Sequence, residues 1–358
     1  MGTQIDLKNL ENLATGATIL GAGGGGDPYL GKLMAGQAIE EYGSVKLLTL
    51  DELEGDGLVL PVAMMGAPTV LIEKIPNGAE LTRVVRAVES RLGRKASALM
   101  SAEAGGVNST IPIVAAAELG LPLLDADGMG RAFPEIPMCS MSVRGISATP
   151  MALADEKGNL EIIETVDNAW TERLSRTATV AMGGSSIISL YPMTSTEAVR
   201  AVVPGTMSRA VEIGESIRSA RERGFNTLEA LLGTTSGKLL FRGKVVDVLR
   251  RIIGGFARGT ARIKGLMEYV GSSLSLEFQN EHLLALRDGS PVATVPDLIV
   301  VLDADSGSPI TTEGLSYGQR VEVVGIPCMP IWREQEALKL VGPEYFGYPF
   351  EYRPLEEV

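Results

Sequence analysis

Short apolar runs that end in glycine alternate with amphipathic segments along the first part of the chain, and this alternation constrains the fold most. Apolar runs at 58–64 and 96–100 are followed by segments with helical spacing at 81–92 and 110–119. Runs of this length, bounded by glycine and separated by helices, are typical of a mostly parallel sheet with helices on both faces. We therefore predict an α/β domain over residues 1–165.

The N-terminal segment is predicted to follow the same order of elements. Residues 6–13 have the spacing of a short helix, and residues 17–20 form a short apolar run that we expect to be a buried strand. Residues 29–42 have helical spacing, with Asp27 placed as the N-cap. The glycine-rich run at 21–26 would then connect a strand to a helix.

Beyond residue 165 the pattern changes to strands with a helical insert. Residues 159–165 and 177–190 have strand-like composition, whereas 194–224 holds two helix candidates. In the last third, turn pairs such as Asp288-Gly289 separate short strand-like runs. The sequence predicts a β-rich, α+β domain over residues 166–358.

Composition argues against several classes of protein. The chain has 44 acidic and 32 basic residues, and its net charge of -12 would repel nucleic acid. Its longest apolar runs are far shorter than the roughly 20 residues that span a membrane. With two cysteines and no signal-like segment, we expect free thiols and a cytoplasmic location. We also expect a small-molecule substrate and a homo-oligomer.

The predicted loops at the carboxyl ends of the strands are the candidate site, because ligands of open α/β sheets bind there. These loops lie at 21–27, 64–68, 101–109 and 125–135, and we expect them to meet in one crevice. The candidate residues are the acids Asp27, Glu103, Asp125, Asp127 and Glu135, the polar residues Asn108 and Arg131, and the glycines Gly23, Gly24, Gly25 and Gly26.

A single histidine in the whole chain leaves most acid–base chemistry to carboxylates. Carboxylates that share a site raise the pKa of at least one of them, so Asp127, Glu103 or Asp125 could be a general base near neutral pH. Glycine amides would hold a carbonyl oxygen, and Arg131 would orient the substrate. The same oxygen atoms could instead hold a divalent cation such as Mg²⁺ or Ca²⁺, although no cofactor is required. For each acid alone, a helix cap or solvated loop is the alternative.

The glycine run also satisfies the G-x-G-x-x-G spacing of dinucleotide-binding loops, which keeps a nicotinamide-dependent oxidoreductase among the hypotheses. Asp27 argues against it, because its negative charge would occupy the helix N-terminus that normally binds the pyrophosphate. A connecting loop without a ligand is a further alternative.

Two segments of the second domain are predicted to cover the crevice. One holds Cys328 between two prolines, and the other holds Asn280 and Glu281. Cys328 could be a nucleophile or a small buried residue in a turn. Alternation along the strand places His282 opposite Glu281, so we expect an exposed His282. Asn280 and Cys328 would then face the Asp125–Asp127 loop.

Six motifs, in a specific order and spacing, carry a family resemblance. They are Gly23–Pro28, Asp125–Glu135, Gly254–Phe256, Phe278–Glu281, Tyr317–Arg320 and Gly325–Cys328. Together they make nearly the whole chain similar to the S-methyl thiohydantoin desulfurase-like family, formerly a domain of unknown function found beside hydantoinase and oxoprolinase genes.

The resemblance implies an N-terminal α/β domain, a β-rich C-terminal domain and hydrolysis of a five-membered cyclic imide or thioimidate. Carboxylates and loop amides would supply that chemistry. The gene neighbourhood, together with an aromatic tail at 345–352, keeps a second hypothesis open, a non-catalytic partner subunit of a hydantoinase-type enzyme.

Overall fold

The computed structural model describes residues 4–66, 70, 74 and 78–358. Its helices are α1 Leu7–Leu20, α2 Pro28–Tyr42, α3 Ala79–Leu92, α4 Ile111–Leu119, α5 Ser140–Val143, α6 Asn168–Ala181, α7 Ser195–Ala201, α8 Thr206–Glu222, α9 Thr227–Thr235 and α10 Gln335–Val341. Its strands are β1 Gln4–Ile5, β2 Val45–Leu48, β3 Leu58–Gly66, β4 Ala96–Ser101, β5 Leu123–Leu124, β6 Ala126–Asp127, β7 Met151–Ala154, β8 Leu160–Ile163, β9 Ser185–Ser189, β10 Met193–Thr194, β11 Val203–Pro204, β12 Lys238–Ile253, β13 Phe256–Gly265, β14 Ser273–Gln279, β15 Glu281–Arg287, β16 Ser290–Thr294, β17 Leu298–Asp303, β18 Pro309–Ile310 and β19 Arg320–Ile326.

The first sheet has the strand order β1-β2-β5-β4-β3-β9-β7-β8, with β10 also paired to β3. Its middle strands β2, β5, β4 and β3 are parallel, as predicted. Antiparallel strands extend it on both sides. The α/β prediction is thus confirmed for the central part of a mixed sheet. The division of the chain at residue 165 stays a prediction, and β9 brings later sequence into this sheet.

The N-terminal segment is one continuous helix, so the prediction of a strand at 17–20 was wrong. α1 begins after Asp6, whose side chain accepts hydrogen bonds from the N–H groups of Lys8 and Asn9 at 2.9 and 3.1 Å. A short apolar run fits a buried helix as well as a buried strand, and here the helix is favoured. The glycine run therefore connects two helices rather than a strand and a helix.

The strand predicted at 177–190 was also wrong over its first half. α6 begins after Asp167, which accepts a hydrogen bond from the N–H of Trp170 at 2.8 Å, and continues to Ala181. Only β9 is a strand. Thr177, Thr179 and Val180 are β-branched, and their weak preference for strands is overridden by the packing of α6 against the first sheet.

The second sheet is antiparallel, with the order β16-β15-β14-β13-β12-β19-β17-β18, as predicted for a β-rich C-terminal domain. Side chains from strands along this path share one apolar core, and β15 contacts β17, so the sheet is curved. β17 is buried on both faces. Leu298 and Val300 belong to the core of the first sheet, whereas Ile299 and Val301 belong to the core of the second.

The C-terminal tail is attached through the buried carboxylate of Asp297. This carboxylate accepts hydrogen bonds from the Cys328 N–H at 2.8 Å, the Tyr352 hydroxyl at 3.0 Å and the Leu355 N–H at 2.8 Å. Tyr348 and Tyr352 pack against the first core. Part of the aromatic surface of the tail is therefore used within the chain itself.

Candidate active site

The loop after β4 places Glu103 at the carboxyl end of the parallel strands. The Ser101 hydroxyl donates to the backbone carbonyls of Glu103 and Asn108, which folds the loop back on itself. The Asn108 side chain accepts from the N–H of Met64 in β3 at 2.7 Å and donates to the Glu103 carboxylate. The Phe133 N–H donates to the other Glu103 oxygen at 3.2 Å. Glu103 is thus held from two neighbouring loops.

A cavity of about 70 Å³ lies between these loops and the turn from β14 to β15. That volume has room for about two water molecules. Its polar lining residues are Glu103, Asn108, Glu135, Cys139, Arg176, Asn280 and Glu281. Its remaining walls are mostly apolar and include Met64, Met65, Met129, Phe133, Ile136, Ile188 and Leu190.

A larger cleft of about 480 Å³ lies at the opposite edge of the first sheet, where the parallel strands begin. Lys46, Glu52 and Ser97 are among its lining residues. Ligands of open α/β sheets bind at the carboxyl ends of the strands, so the smaller cavity is the candidate active site.

Burial raises the pKa of Glu103 to about 7, and the nearby Asp127 adds to this increase. The hydrogen bonds from Asn108 and from the Phe133 N–H act in the opposite direction, as does the charge of Arg131. Glu103 retains some accessible surface. Near neutral pH this carboxyl group can therefore both accept and donate a proton.

Glu281 faces the same cavity and is 2% exposed. Its Oε2 atom has no hydrogen-bond partner among the described residues. Burial raises its pKa well above the usual value, and the charge of Glu103 raises it further. A Cβ atom on Gly24 would overlap the Glu281 carboxylate, so only glycine allows this close approach of the glycine run.

His282 is fully buried, so the prediction of an exposed position was wrong. Its ring packs beside Gly23, and burial lowers its pKa to about 3. Neither ring nitrogen has a hydrogen-bond partner among the residues that the structure describes. The alternation argument correctly separated His282 from Glu281 but could not show that this strand is covered on both faces.

Arg131 lies behind the cavity rather than in its wall, and it is fully buried. It donates to the backbone oxygens of Ala132, Pro296 and Asp297 at 2.9, 2.6 and 3.0 Å. Its Nη2 atom has no partner within the described part of the chain. Burial lowers its pKa to about 10, so it remains charged at neutral pH, and Glu281, Asp297 and Glu103 are its acidic neighbours.

Asp127 and Asp125 do not line the cavity. One oxygen of Asp127 accepts from the N–H groups of Met129 and Gly130 at 2.7 and 2.5 Å, and burial raises its pKa to about 7. Both oxygens of Asp125 are bound by Ser208 at the start of α8, at 2.9 and 2.6 Å. Asp125 therefore holds a helix terminus.

Some of the remaining predicted residues line the cavity and others do not. Gly25 lines the cavity, whereas Gly23, Gly24 and Gly26 do not. Asp27 is exposed and caps α2 by accepting from the Tyr29 N–H at 2.8 Å, as predicted. In the loop predicted at 64–68, Ala67 and Pro68 lie outside the described residues.

Cys328 lies away from the cavity, in the turn that Asp297 holds. Its Sγ atom is 3.7 Å from the Tyr352 hydroxyl oxygen, and burial raises the pKa of the thiol to about 12. Asn280 lines the cavity with a positive φ of 59°. Its side-chain oxygen accepts from the Ala257 N–H at 2.8 Å, which fixes the turn from β14 to β15.

Arg176 and Cys139 line the cavity but were not predicted to do so. Arg176 donates to Glu172 at 2.8 Å and to the Pro134 carbonyl at 3.0 Å, and its guanidinium lies 4.2 Å from the ring centre of Phe256. It is the only basic side chain among the described lining residues. No sequence signal marked Arg176, which directly precedes the segment predicted as a strand at 177–190.

Glu135 forms another part of the cavity wall, where the tail approaches it. The Tyr345 hydroxyl donates to its carboxylate at 2.7 Å. Burial raises the Glu135 pKa, and the hydrogen bond from Tyr345 opposes this shift.

Among the described residues, no three His, Cys, Asp or Glu side chains are grouped so that they could hold a metal ion. The cation hypothesis therefore gains no support from this arrangement. In the same part of the chain, every helix is too short or too polar to cross a membrane.

The cavity lies at the carboxyl ends of the parallel strands of an α/β sheet, and comparison with known proteins identifies the family. Models of the N-terminal and C-terminal domains of S-Me-THD-like proteins match residues 8–165 and 166–355. The chain therefore belongs to the S-Me-THD-like family. No curated protein matches it.

The fold also occurs in the crystal structure of a protein from Chromobacterium violaceum. That protein is 25% identical in sequence, with a TM-score of 0.80, and the match covers 99% of this chain and 100% of the other. The arrangement of both sheets is thus shared along the full length of the two chains.

Proposed function

We propose that the protein is a hydrolase of hydantoin-like five-membered rings and that an S-methyl thiohydantoin is its leading substrate. Family membership suggests a desulfurase or hydrolase role of this kind. The observation that carries the proposal is the Glu103 carboxyl group, which faces a largely apolar cavity with a pKa of about 7.

Glu103 is the general base in this proposal. It takes a proton from a water molecule while the water oxygen bonds to the ring carbon that carries sulfur. The C=N electron pair moves to the ring nitrogen, which takes a proton. The C–S bond then breaks, a carbonyl forms, and the sulfur leaves as methanethiol. One water is consumed for each hydantoin and each methanethiol formed.

The apolar wall suits a flat ring with a methylthio group. Met64, Met65 and Met129 present flexible, polarisable side chains that can adapt to such a substituent. A five-membered ring needs more space than two water molecules, so we expect these side chains to move apart on binding. Asn108 and Asn280 add amide groups beside the ring.

The test is turnover of a panel of hydantoins, S-methyl thiohydantoins and 5-oxoproline by the purified protein, with released methanethiol measured by a thiol reagent. We expect activity on the S-methyl compounds and a loss of about 10²- to 10⁴-fold in kcat for Glu103→Gln. Absence of turnover on the whole panel by folded protein would refute the proposal.

The structure bears on the two other hypotheses. The glycine run does not follow a strand, as a dinucleotide-binding loop must, and the Glu281 carboxylate packs against Gly24. Aromatic residues of the tail pack on the chain's own core, which leaves less aromatic surface for a partner subunit. Flat NADH fluorescence titrations and purification without a bound partner are the expected outcomes.

A further inference from the structure

Two carboxyl groups from different sheets face one cavity, and both are largely removed from solvent. We infer that Glu103 and Glu281 form an acid–base pair that retains one proton, with Glu281 as the general acid that complements Glu103. The catalytic part of this inference rests on the proposed function. Glu103 comes from the loop after β4, and Glu281 is the first residue of β15.

The position of Glu281 is the first argument. The side chain is 2% exposed, and its Oε2 atom has no hydrogen-bond partner among the described residues. A buried carboxylate with an oxygen that receives no hydrogen bond is unfavourable, whereas a protonated carboxyl group has no charge to stabilise. Asp297, which is equally buried, shows that this fold can supply three donors where a carboxylate is to be stabilised.

The balance of charge is the second argument. Arg131 is a buried cation whose charge interacts with both carboxyl groups from behind the cavity, and Arg176 of the cavity wall is already paired with Glu172. Asp127, which lies outside the cavity, raises the pKa of Glu103 through its negative charge, and His282 is uncharged at neutral pH. Asp297 is a further acidic neighbour of Arg131, so Glu103 and Glu281 ionised together would leave the buried carboxylates in excess of this cation. A retained proton on one of the pair reduces that excess.

The order of titration gives each member its role. Burial raises the pKa of both carboxyl groups, and the charge of Glu103 adds to the increase at Glu281. The Glu103 carboxylate accepts hydrogen bonds from the Asn108 side chain and the Phe133 N–H, whereas the Oε2 atom of Glu281 has no donor among the described residues. Glu103 therefore ionises first and is the base, while Glu281 keeps the proton. This is the separation that one acid and one base require at the same pH.

The pair completes the proton balance of the reaction. Glu281 gives its proton to the ring nitrogen as Glu103 takes one from water. When the tetrahedral intermediate collapses, its hydroxyl proton returns to Glu281, and the proton on Glu103 leaves with the sulfur as methanethiol. Both carboxyl groups end as they began, and the substrate has gained one water.

Infrared spectroscopy of the protein without substrate tests the retained proton. At a pH above the Glu103 pKa of about 7, we expect a protonated-carboxyl band that disappears in Glu281→Gln. In Glu103→Gln the band should titrate at lower pH than in the wild type, because the neighbouring negative charge is gone. The second variant keeps the test valid if the first does not fold. An unchanged band in Glu281→Gln would overturn the inference.

Activity supplies the second readout. Glu281→Gln should lower kcat by about 10²- to 10⁴-fold and remove the alkaline limb of the pH–rate profile, whereas Glu103→Gln should remove the acid limb. Because the two groups act as a unit, the double variant should lose little more than either single variant. A loss of kcat in the double variant equal to the product of the two single losses would contradict the pairing.

Glu313→Gln is the matched control. Burial also raises the pKa of Glu313 to about 7, but this residue does not line the cavity. Both limbs of the pH–rate profile should remain in this variant. If the infrared results hold and no ring compound is turned over, the pair stands and the substrate assignment fails. If turnover occurs and the band is unaffected by Glu281→Gln, the substrate assignment stands and the acid–base pair is refuted.

Discussion

Two buried carboxyl groups, Asp297 and Glu281, differ in the hydrogen-bond donors that the fold places around them. Asp297 is 1% exposed and accepts three hydrogen bonds, two of them from backbone N–H groups. Glu281 is 2% exposed and has an oxygen without any partner among the described residues. The comparison shows that burial alone does not define a carboxylate's role. The donors around it separate a structural anchor from a group available for chemistry.

The largest expected effect is a fall in stability as the pH rises from about 4.5 to about 7. Burial raises the folded-state pKa of Glu103, Asp127 and Glu313 to about 7, so the folded protein binds more protons than the unfolded chain in this window. Their contribution is fully present below the unfolded pKa values and is lost as the pH approaches 7. Each unit of pKa difference is worth about 1.4 kcal/mol for a group that titrates independently, so this is the largest of the expected effects on stability.

Urea unfolding at a series of pH values measures this effect. Carboxylates with lowered folded-state pKa values, such as Glu89 and Asp155, act in the opposite direction, chiefly at and below the lower end of this window. Glu103→Gln should make the fall of unfolding free energy with rising pH less steep. A free energy of unfolding that is constant or rises between these pH values would contradict the expected protonation of the cavity groups.

Asp297→Ala tests the other side of the comparison. The substitution leaves the Cys328 N–H, the Tyr352 hydroxyl and the Leu355 N–H without their acceptor, and we expect a loss of about 3 kcal/mol in unfolding free energy. The kcat of the molecules that remain folded should be unchanged. Chemical denaturation and activity per folded molecule are the measurements.

Asp305→Ala is the matched control for this substitution. Asp305 forms an exposed ion pair with Arg320 at 2.6 Å, and removing it should change stability by less than about 0.5 kcal/mol. Equal losses for Asp297→Ala and Asp305→Ala would mean that Asp297 is not an anchor.

Asn280→Ala is expected to cost about 2 kcal/mol. The side chain holds the Ala257 N–H at 2.8 Å, and alanine is also unfavourable at a φ of 59°. Asn280→Gly removes the same hydrogen bond but tolerates the backbone, so it should be the more stable variant by thermal denaturation. The reverse order would indicate that the turn relaxes when Asn280 is replaced.

Tyr345→Phe should have the smallest effect, under about 1 kcal/mol. It removes one hydrogen bond to Glu135, and Tyr345 is 44% exposed, so water can replace the lost donor. Activity at neutral pH should be nearly unchanged. A large loss of activity without loss of stability would instead give the tail a role in substrate binding.

Local pattern identified the residues whose role depends on their place in a strand–loop–helix unit. Glu103 and Asn108 were predicted because they follow a buried strand, and Glu281 because its segment was expected to cover the crevice. The partner of Asp125 is Ser208, 83 residues away, and that of Cys328 is Asp297. Such distant pairings cannot be derived from spacing, which is why these two residues were predicted in the cavity and lie outside it.

The prediction of helix or strand was wrong where the sequence pattern fitted both. The apolar run at 17–20 is short enough for either a strand or a helix, and it continues a helix that Asp6 begins. Arg176 could not be predicted, since its role depends on contacts with Phe256, which lies 80 positions later in the chain.

Alternate residues of β17 pack into two different cores, and this affects how the molecule unfolds. Val300 and Val301 are neighbours in sequence but belong to separate cores. Loss of this strand would expose apolar surface of both sheets at once, so neither sheet can lose it without destabilising the other. We expect the two halves to behave as one cooperative unit, in which a small-to-large change on one face of β17 is transmitted to the core on its far side.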